Sequence, residues 1–276
     1  PAEAWRPGIE GVFAGLPDKV YRKAPGVNVS SLKTMRYSPA HYKAALEDTD
    51  TDRTGALVIG TLVHAMTLEA KPKPYVVRPP QFDSWRTNAA KAWRDSQTLD
   101  VLTPDEEQVV LRCVEALKRN PLLASMGECG HAEVSVFKRH PRTGLLLKGR
   151  SDLVAPDEDG AWHGLDVKTT LEFGADSDAF SRRISDMDYH IQDAFYTDLL
   201  GLESFTFVAV EKGAHSGVAM YQLEDEDREL GRRAYNMHLL RLRECMDSGE
   251  YPSYPETVRK IGLTRWKRQK EMEDVE

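Results

Sequence analysis

The hydrophobic pattern of the second half of the chain predicts a set of strands. Residues 131–140 (HAEVSVFKRH) alternate between polar and apolar side chains, as a half-buried strand does. Two apolar runs follow within residues 144–170, and a loop of Asp, Glu and Gly separates them. Residues 204–212 (SFTFVAVEK) and 217–225 (GVAMYQLED) also have the character of strands. Together these segments predict one β-sheet.

Helical periodicity fills the gaps between these strands and dominates the first half of the chain. Residues 177–202 are predicted to form one long helix that ends near Gly201, and a long amphipathic helix begins near Asp225. One helix is predicted to start with Ser30 and Ser31 as N-caps, and a second is predicted to start at Pro39. Further helices are predicted over 54–70, 85–99 and 104–120, and a short strand is predicted at 75–77. This order predicts an α/β fold with a central mixed β-sheet flanked by helices and a helical N-terminal part.

The chain is predicted to form a single domain with four parts. Residues 1–29 are rich in Gly and Pro and predict a loop-like arm, residues 30–130 a mainly helical part, residues 131–250 the sheet-containing core, and residues 251–276 an irregular basic tail. A length of 276 residues suits one large domain, and no internal repeat or low-complexity tract divides it.

The composition favours an ordinary soluble protein of the cytoplasm. Hydrophobic residues make up 41% of the chain, and no run of 18 apolar residues occurs, so no membrane span is expected. The first residues lack the basic start and apolar core of a secretory signal. Cys113, Cys129 and Cys245 are far apart and form no CxxC pair. This spacing argues against a disulfide framework or a zinc ribbon and favours reduced thiols.

The charge distribution is uneven. The net charge of −7 argues weakly against a protein that coats nucleic acid, but it is compatible with a nuclease because local patches decide contact. Acidic residues cluster in EDTDTD (47–52) and EDED (224–227). RKIGLTRWKRQK (259–270) carries six positive charges in twelve residues. This basic segment is either a solvated face or a clamp on DNA, and its Trp266 could stack on a base or pack at a subunit contact.

Two carboxylates and a lysine stand out among the predicted strands. Asp152 lies in the first apolar run of 144–170, and Asp166 and Lys168 lie in the second. Residues two apart on a strand point to one face, so Asp166 and Lys168 are expected side by side. Carboxylates from neighbouring strands form an oxygen-rich site for a hard cation such as Mg²⁺, and a lysine there can hold a water and balance transition-state charge. The alternative is a surface hairpin with a salt bridge.

The spacing of these residues resembles the core motif of the PD-(D/E)xK nucleases. GRSD (149–152), thirteen intervening residues and DVK (166–168) look like that motif. Gln192-x-x-x-Tyr196 resembles the helix signature of the RecB-type branch of this superfamily. Asp-x-Lys alone would be a weak signal, and its position between the other motifs makes the resemblance specific.

Three further segments extend the resemblance towards the N-terminus. GTLVHAM (60–66) looks like the upstream histidine motif of the RecB-type branch, and HAEVSVF (131–137) resembles its strand with an additional glutamate. VSSLKTMRYSPAHYKAAL (29–46) looks like the N-terminal motif of the C-terminal nuclease domain of RecE, also called exonuclease VIII. The resemblance covers roughly residues 28–225.

The resemblance implies a set of metal ligands. Asp152 and Asp166 would bind the metal through carboxylate oxygens, the Val167 carbonyl would add a backbone ligand, and His64 would add an imidazole. Lys168 would orient the attacking water and is expected to be catalytic together with both aspartates. Mg²⁺ prefers oxygen, and the imidazole also suits Mn²⁺, so the expected cofactor is Mg²⁺ with Mn²⁺ as a substitute. Without the motif, His64 on an apolar helix would be a satisfied core residue.

The remaining assignments concern Glu133 and the contacts to DNA. Glu133 is expected among the catalytic residues, where it could reach a second ion, or else it pairs with a surface lysine. Gln192 and Tyr196 lie four apart on one helix face and would contact DNA, brace the site or form a packing pair. Arg150 is expected to bind DNA as part of a basic channel beside Lys168.

The resemblance implies a metal-dependent exodeoxyribonuclease. It would digest double-stranded DNA from the 5′ end and leave a 3′ single strand for recombination, as a homo-oligomeric ring that works with a single-strand annealing protein. One alternative is a RecB-family nuclease for single-stranded ends or flaps. The iron–sulfur members of that branch need four cysteine ligands, and three scattered cysteines argue against them. Another alternative is a non-catalytic DNA-binding protein with a structural cation.

Overall fold

The computed structural model describes residues 6–47, 55–69 and 73–273, so most of the acidic run 47–52 and the ends of the predicted helix 54–70 lie outside the described residues. The strands are β1 (Gly11–Phe13), β2 (Tyr75–Val77), β3 (Asp100–Leu102), β4 (His131–Arg139), β5 (Leu146–Pro156), β6 (Trp162–Thr170), β7 (Ser204–Glu211) and β8 (Val218–Tyr221). The helices are α1 (Asp18–Lys23), α2 (Val29–Leu32), α3 (Pro39–Glu47), α4 (Gly55–Thr67), α5 (Asn88–Asp95), α6 (Pro104–Lys118), α7 (Pro121–Cys129), α8 (Ser177–Asp186), α9 (Tyr189–Leu200), α10 (Asp225–Ser248) and α11 (Arg265–Glu273).

The main sheet is mixed and contains six strands in the order β1-β4-β5-β6-β7-β8. β6 and β7 run parallel because α8 and α9 form the crossover between them, whereas the other neighbours in this sheet are antiparallel. The short strands β2 and β3 pair in a separate parallel sheet. The predicted α/β class with a central mixed sheet flanked by helices is therefore confirmed.

Two hydrophobic cores cover the two faces of the main sheet. On β7, Phe205 and Phe207 enter the core that contains α9 and α10, whereas Val208 and Val210 enter the core that contains α4 and α6. This division follows from the alternation of side chains along a strand. On β6, Leu165 and Val167 face the second core, so the alternate residues of that strand take the opposite face.

The predicted long helix over 177–202 is wrong, because the chain breaks between α8 and α9. Asp188 has a φ of +51°, in the left-handed region where an aspartate is tolerated better than most residues. Arg36 makes an ion pair with Asp188, and Lys33 Nζ donates to the carbonyl oxygen of Met187 at 2.7 Å. The 3₁₀ turn Lys33–Arg36 therefore supports a break that helical periodicity does not reveal.

The N-terminal arm is more ordered than its composition predicts. Residues 11–13 add β1 to the edge of the main sheet, antiparallel to β4, and α1 follows. The predicted caps Ser30 and Ser31 are also wrong, since Asn28 is the N-cap of α2 and its side chain accepts from Ser31 N.

Elsewhere the local signals hold with shifted ends. The strand at 75–77 is confirmed, and so is the capping box of α6, in which Thr103 and Glu106 satisfy each other's backbone N–H. The helix predicted over 85–99 spans only Asn88–Asp95, and the tail predicted to be irregular contains α11. None of the helices in the described ranges is both long and apolar enough to cross a membrane.

Two mid-helix glycines give opposite predictions for stability. A Cβ on Gly231 of α10 would lie 2.0 Å from the carbonyl oxygen of His190, so Gly231→Ala forces two helix backbones apart. We expect a loss in the free energy of unfolding of about 1–3 kcal/mol or more. A Cβ on the exposed Gly127 of α7 meets no atom within 4 Å, so Gly127→Ala should gain about 0.5–1 kcal/mol. Urea unfolding followed by circular dichroism measures both changes, and shifts of the same sign would contradict the close packing of α9 on α10.

Candidate metal centre

The site lies where β5 and β6 stop pairing. Leu153 and Leu165 are the last paired residues, and beyond them Asp152 Oδ2 accepts from Val167 N at 2.7 Å. Ser151 Oγ lies 3.2 Å from the carbonyl oxygen of Leu165 and donates to it. Side chains thus replace the backbone bonds of the ladder at this point. The strands separate without losing hydrogen-bond partners, and the Asp152 carboxylate is held in the gap.

Glu133 stands on the other side of Asp152, in β4. The ladder between β4 and β5 pairs Ala132 with Leu153 and Val134 with Ser151, and Glu133 and Asp152 face each other between these pairs. Glu133 has a φ of +53°, in the left-handed region that a glutamate rarely adopts. This conformation costs of order 1–3 kcal/mol and directs the Glu133 carboxylate towards the same gap.

His64 reaches the gap from α4 and bridges two groups of the separated strands. Its Nδ1 lies 3.2 Å from Asp152 Oδ2, and its Nε2 lies 2.7 Å from the carbonyl oxygen of Val167. Ligand atoms of His64, Glu133 and Asp152 all lie within 4.8 Å of one another. Sequence reasoning placed His64 and Asp152 in one metal site, and the structure brings Glu133 to them as well.

The donors in the gap suit a divalent cation. Two carboxylates and a backbone carbonyl are hard oxygen ligands, and one imidazole nitrogen is compatible with Mn²⁺ as well as with Mg²⁺. The carboxylate of Asp152 is buried, and burial makes an uncompensated negative charge costly. The residues present therefore fit the metal that the sequence predicts, although they do not select one ion.

Asp166 and Lys168 lie side by side on β6, as their spacing predicts. Lys168 Nζ is 2.6 Å from Asp166 Oδ2, and Gln192 of α9 donates to Asp166 Oδ1 at 2.7 Å. The Lys168 ammonium also lies 4.8 Å from the centre of the Tyr189 ring, within the range of a cation–π contact. The Asp166 carboxylate therefore accepts from two donors, Lys168 on its own strand and Gln192 on α9.

Gln192 and Tyr196 brace the site from within. Both side chains are buried, and the Tyr196 ring packs so closely on β5 that a Cβ at Gly149 would lie 2.6 Å from its Cε1 atom. Burial raises the pKa of Tyr196 well above its ordinary value, so the hydroxyl stays protonated. Of the three roles considered from the sequence, this geometry describes bracing, and contact with DNA stays a prediction.

Arg150 is bound to the N-terminal arm. Its Nη2 donates to the carbonyl oxygen of Leu16 at 2.6 Å, its Nη1 lies 3.4 Å from both Asp18 and Glu133, and its guanidinium covers the ring of Tyr21. The side chain is only 9% exposed. Arg150 therefore ties the arm to Glu133, and the predicted contact with DNA is untested by this arrangement.

Burial and charge act in opposite directions on the ionisable groups. Burial lowers the pKa of His64, but attraction to the Asp152 carboxylate outweighs it and raises this pKa to about 9. Burial raises the pKa of Asp152, and the charge of His64 outweighs it, so the pKa of Asp152 falls below its usual range. Without a metal, His64 is therefore an imidazolium beside a carboxylate. A cation that takes His64 as a ligand must displace its proton.

The other two carboxyl groups have raised pKa values. Burial raises the pKa of Glu133 to about 7, and repulsion from Asp152 adds to this shift. Burial also raises the pKa of Asp166, although the ammonium of Lys168 opposes it. For Lys168, burial lowers the pKa but the Asp166 carboxylate outweighs this, so its pKa is raised. A charged lysine thus stands beside carboxyl groups that gain from an added positive charge.

A cleft of about 1070 Å³ opens onto these residues. His64, Glu133, Val167 and Lys168 contribute to its wall. Basic side chains also line it, namely Lys19, Arg22, Arg150, Arg183 and Lys212. The cleft is therefore large enough for part of a polymer, and its lining contains several cations although the whole chain is acidic.

Some residues of the site were not singled out from the sequence. Ser151 bridges the separated strands, Tyr189 lies under the Lys168 ammonium, and Lys33 Nζ is 5.5 Å from the same ring. Burial lowers the pKa of Lys33 to about 8, and repulsion from Lys168 contributes. Lys33 belongs to the segment VSSLKTM, whose resemblance to the RecE motif was the available signal.

Comparison with solved structures shows the fold. An exonuclease candidate from Eubacterium rectale has 13% sequence identity and a TM-score of 0.58, covering 88% of this chain and 92% of its own. A phage-related exonuclease from Haemophilus somnus has 13% identity and a TM-score of 0.37, covering 82% of this chain and 96% of its own. No curated protein sequence matches.

The family model that matches the chain agrees with the geometry of the site. It spans residues 28–263, which include all the site residues described above from Lys33 to Tyr196. Its description is a PDDEXK-like domain of unknown function, and the sequence predicts the PD-(D/E)xK motif at Asp152, Asp166 and Lys168. The chain therefore belongs to the PDDEXK-like family DUF3799, within the PD-(D/E)xK nuclease superfamily.

Proposed function

We propose that this protein is a metal-dependent exodeoxyribonuclease that hydrolyses the phosphodiester bonds of double-stranded DNA. The observation that carries the proposal is the convergence of Asp152, Asp166 and Lys168 where two strands separate, beside a cleft that Lys168 lines together with several other basic side chains. A surface hairpin with a salt bridge would not bury these groups or direct Glu133 and His64 at them. Membership of a nuclease superfamily supports the same conclusion.

The residues divide the chemistry between them. A divalent cation held by Asp152, Asp166, Glu133, His64 and the Val167 carbonyl would polarise the phosphodiester and lower the pKa of water. Lys168 carries its positive charge into the cleft, where it orients the attacking water and offsets the negative charge of the transition state. Gln192 keeps the Asp166 carboxylate in place through its hydrogen bond. Such fixed groups need no reorganisation during the reaction.

The direction of digestion and the assembly rest on the resemblance to RecE. We propose digestion from the 5′ end, leaving a 3′ single strand for recombination by a single-strand annealing partner. We also propose Mg²⁺ as the metal and a ring of identical subunits around the duplex. An acidic chain repels DNA on average, so a ring that joins the basic clefts of its subunits and turns the acidic surfaces outward would solve this problem.

Digestion of a duplex labelled separately at each end tests the function. In the presence of Mg²⁺ we expect the 5′ label to be released early, on short products, while the 3′ label is retained. No cleavage is expected in EDTA. Release from the 3′ label first would reverse the polarity. Activity confined to single-stranded ends or flaps would instead favour a RecB-type nuclease that acts on those substrates. Binding of DNA without cleavage would contradict the proposal that the protein is an enzyme.

The two aspartates should be needed for metal binding and cleavage but not for folding. Asp152→Asn keeps an oxygen for Val167 N–H and removes the charge, and Asp166→Asn does the same for the bond from Gln192. We expect both variants to lose Mn²⁺ binding in calorimetry and cleavage on gels, because neutral amides are weak ligands for such cations. The matched control is Asp159→Asn, in the exposed loop between the same strands, which should keep both properties. Full activity of Asp152→Asn would exclude the proposed site.

Lys168 should act in the chemical step rather than in binding. Lys168→Ala is expected to lower the turnover rate about 10²–10³-fold at nearly unchanged affinity for DNA, because it removes an interaction of the transition state. Lys168→Arg should rescue poorly, since a planar guanidinium does not replace a compact ammonium. Lys212→Ala, which removes another cation of the cleft, should weaken affinity more than turnover. Equal losses of affinity and turnover in Lys168→Ala would identify it as a phosphate contact.

Encirclement of the duplex predicts a difference between starting and continuing digestion. Counterion release makes initial binding weaken steeply as salt increases. A ring that surrounds DNA cannot simply dissociate, so digestion begun at low salt should continue after a challenge with high salt and a DNA trap. The measurement is the length of product formed after the challenge, together with the oligomeric state from sedimentation. Immediate arrest by a monomeric protein would show a distributive nuclease.

A further inference from the structure

A cluster of aromatic and basic side chains lies on the segment from Arg78 to Leu99. This segment leaves the small parallel sheet after β2 and returns to it at β3. Arg78 N donates to the carbonyl oxygen of Leu102 at 2.8 Å, so both ends of the segment are tied to the same pair of strands. The proposed chemistry uses none of its side chains.

Two indole rings form the centre of the cluster. The rings of Trp85 and Trp93 are stacked, with centroids 6.3 Å apart and an angle of 10° between their planes. The Phe82 ring lies 5.9 Å from Trp93. The guanidinium groups of Arg78 and Arg94 lie 5.2 Å and 5.7 Å from the centre of the Trp85 ring, within the range of cation–π contacts. Flat aromatic and cationic groups thus occur together on one short segment.

The cluster is not part of the main packing of the molecule. Phe82, Trp85 and Trp93 are each only partly buried, and the hydrophobic cores formed by the described residues do not include them. Ala90, on the buried side of α5, is fully covered and fixes that helix on the protein. The two indoles therefore keep part of their surface in solvent while the helix that carries Trp93 is held in place.

The local charge is opposite to that of the whole chain. The segment has four basic residues and two acidic ones, an excess of two positive charges, in a chain with a net charge of −7. The basic residues are Arg78, Arg86, Lys91 and Arg94, and the acidic ones are Asp83 and Asp95. A positively charged surface that also presents flat rings suits a polyanion with exposed bases.

Residues at or close to both ends of the segment line the cleft. Pro74, Leu99 and Asp100 line the cleft that opens onto the metal centre. Arg78 is four residues beyond Pro74, so the two Cα atoms are at most about 14 Å apart. A strand of nucleic acid that leaves the cleft past Pro74 and Leu99, the rim on this side, would reach the two ends of the segment that carries the cluster.

We propose that Trp85 and Trp93, with Arg78 and Arg94, form a stacking site for the bases of single-stranded DNA at the rim of the cleft. An unpaired strand exposes the faces of its bases beside its phosphates, whereas a duplex hides most of these faces in its own stack. The site therefore selects the unpaired strand rather than the duplex. The choice of DNA among nucleic acids rests on the proposed function.

Binding to two labelled chains of equal length tests the stacking. One is an oligothymidylate and the other is an abasic deoxyribose-phosphate chain, and fluorescence anisotropy in EDTA measures affinity without cleavage. The wild-type protein should bind the oligothymidylate more tightly. Trp85→Ala and Trp93→Ala should each weaken that binding by about fivefold or more and leave binding to the abasic chain unchanged. Trp85→Phe, which keeps an aromatic ring, should retain part of the preference.

Trp162→Ala is the matched control. Trp162 is 41% exposed and stacks on His131 at the start of β6, and its loss should change neither affinity. Equal binding of the two chains by the wild-type protein would overturn the proposal whatever the variants do. Unchanged affinity in folded alanine variants would also overturn it and leave the cluster as a structural or protein-binding surface. Cleavage of a duplex by the wild-type protein is measured separately, so a failed nuclease assay is distinguishable from absent base stacking.

Discussion

The bond between the Asp152 carboxylate and the backbone N–H of Val167 is the constraint on which the site depends. It replaces a strand-to-strand bond at the place where β5 and β6 separate, so a charged group enters the sheet without leaving a backbone donor unpaired. The same oxygen faces His64, whose other nitrogen meets the Val167 carbonyl. The consecutive strands β5 and β6 and the distant helix α4 are thereby held at one point.

Electrostatics explains why these groups remain together despite their burial. Asp152 and Asp166 lie close enough to repel each other, and Glu133 adds a third carboxyl group. Without a metal, the charges of His64 and Lys168 compensate part of this repulsion. A divalent cation would compensate it more completely, and its binding to His64 would displace the imidazolium proton. The cluster of carboxyl groups is thus suited to cation binding.

The site opens into a cleft that is large enough for part of a polymer. The N-terminal arm is fixed by Arg150, and residues of this arm and of α4 line the cleft. The segment after β2 reaches the cleft at Leu99 and carries the stacked indoles. On the proposed function, the cations in the cleft would hold a nucleic acid through its phosphates, and the aromatic rings would hold it through its bases.

Local periodicity and residue spacing were enough to predict some features of the fold and of the site. Alternation predicted the strands, and a spacing of two placed Asp166 and Lys168 on one face of β6, since side-chain direction on a strand follows from the pleat. The capping box of α6 is equally local. Asp152 and His64 were also predicted as metal ligands, but this prediction came from the resemblance to a nuclease family and not from local geometry.

Tertiary structure alone decided the features that depend on residues far apart in the chain. His64 and Val167 are 103 positions apart, and no periodicity relates them. The break before α9 depends on a left-handed Asp188 paired with Arg36, an interaction that spans 152 positions and overrides a continuous helical pattern. The contacts of Arg150 with Leu16 and Asp18 likewise form only when the N-terminal arm folds back onto β4. Long-range contacts select among conformations that local propensity permits, and for this reason the strands could be predicted while the complete site could not.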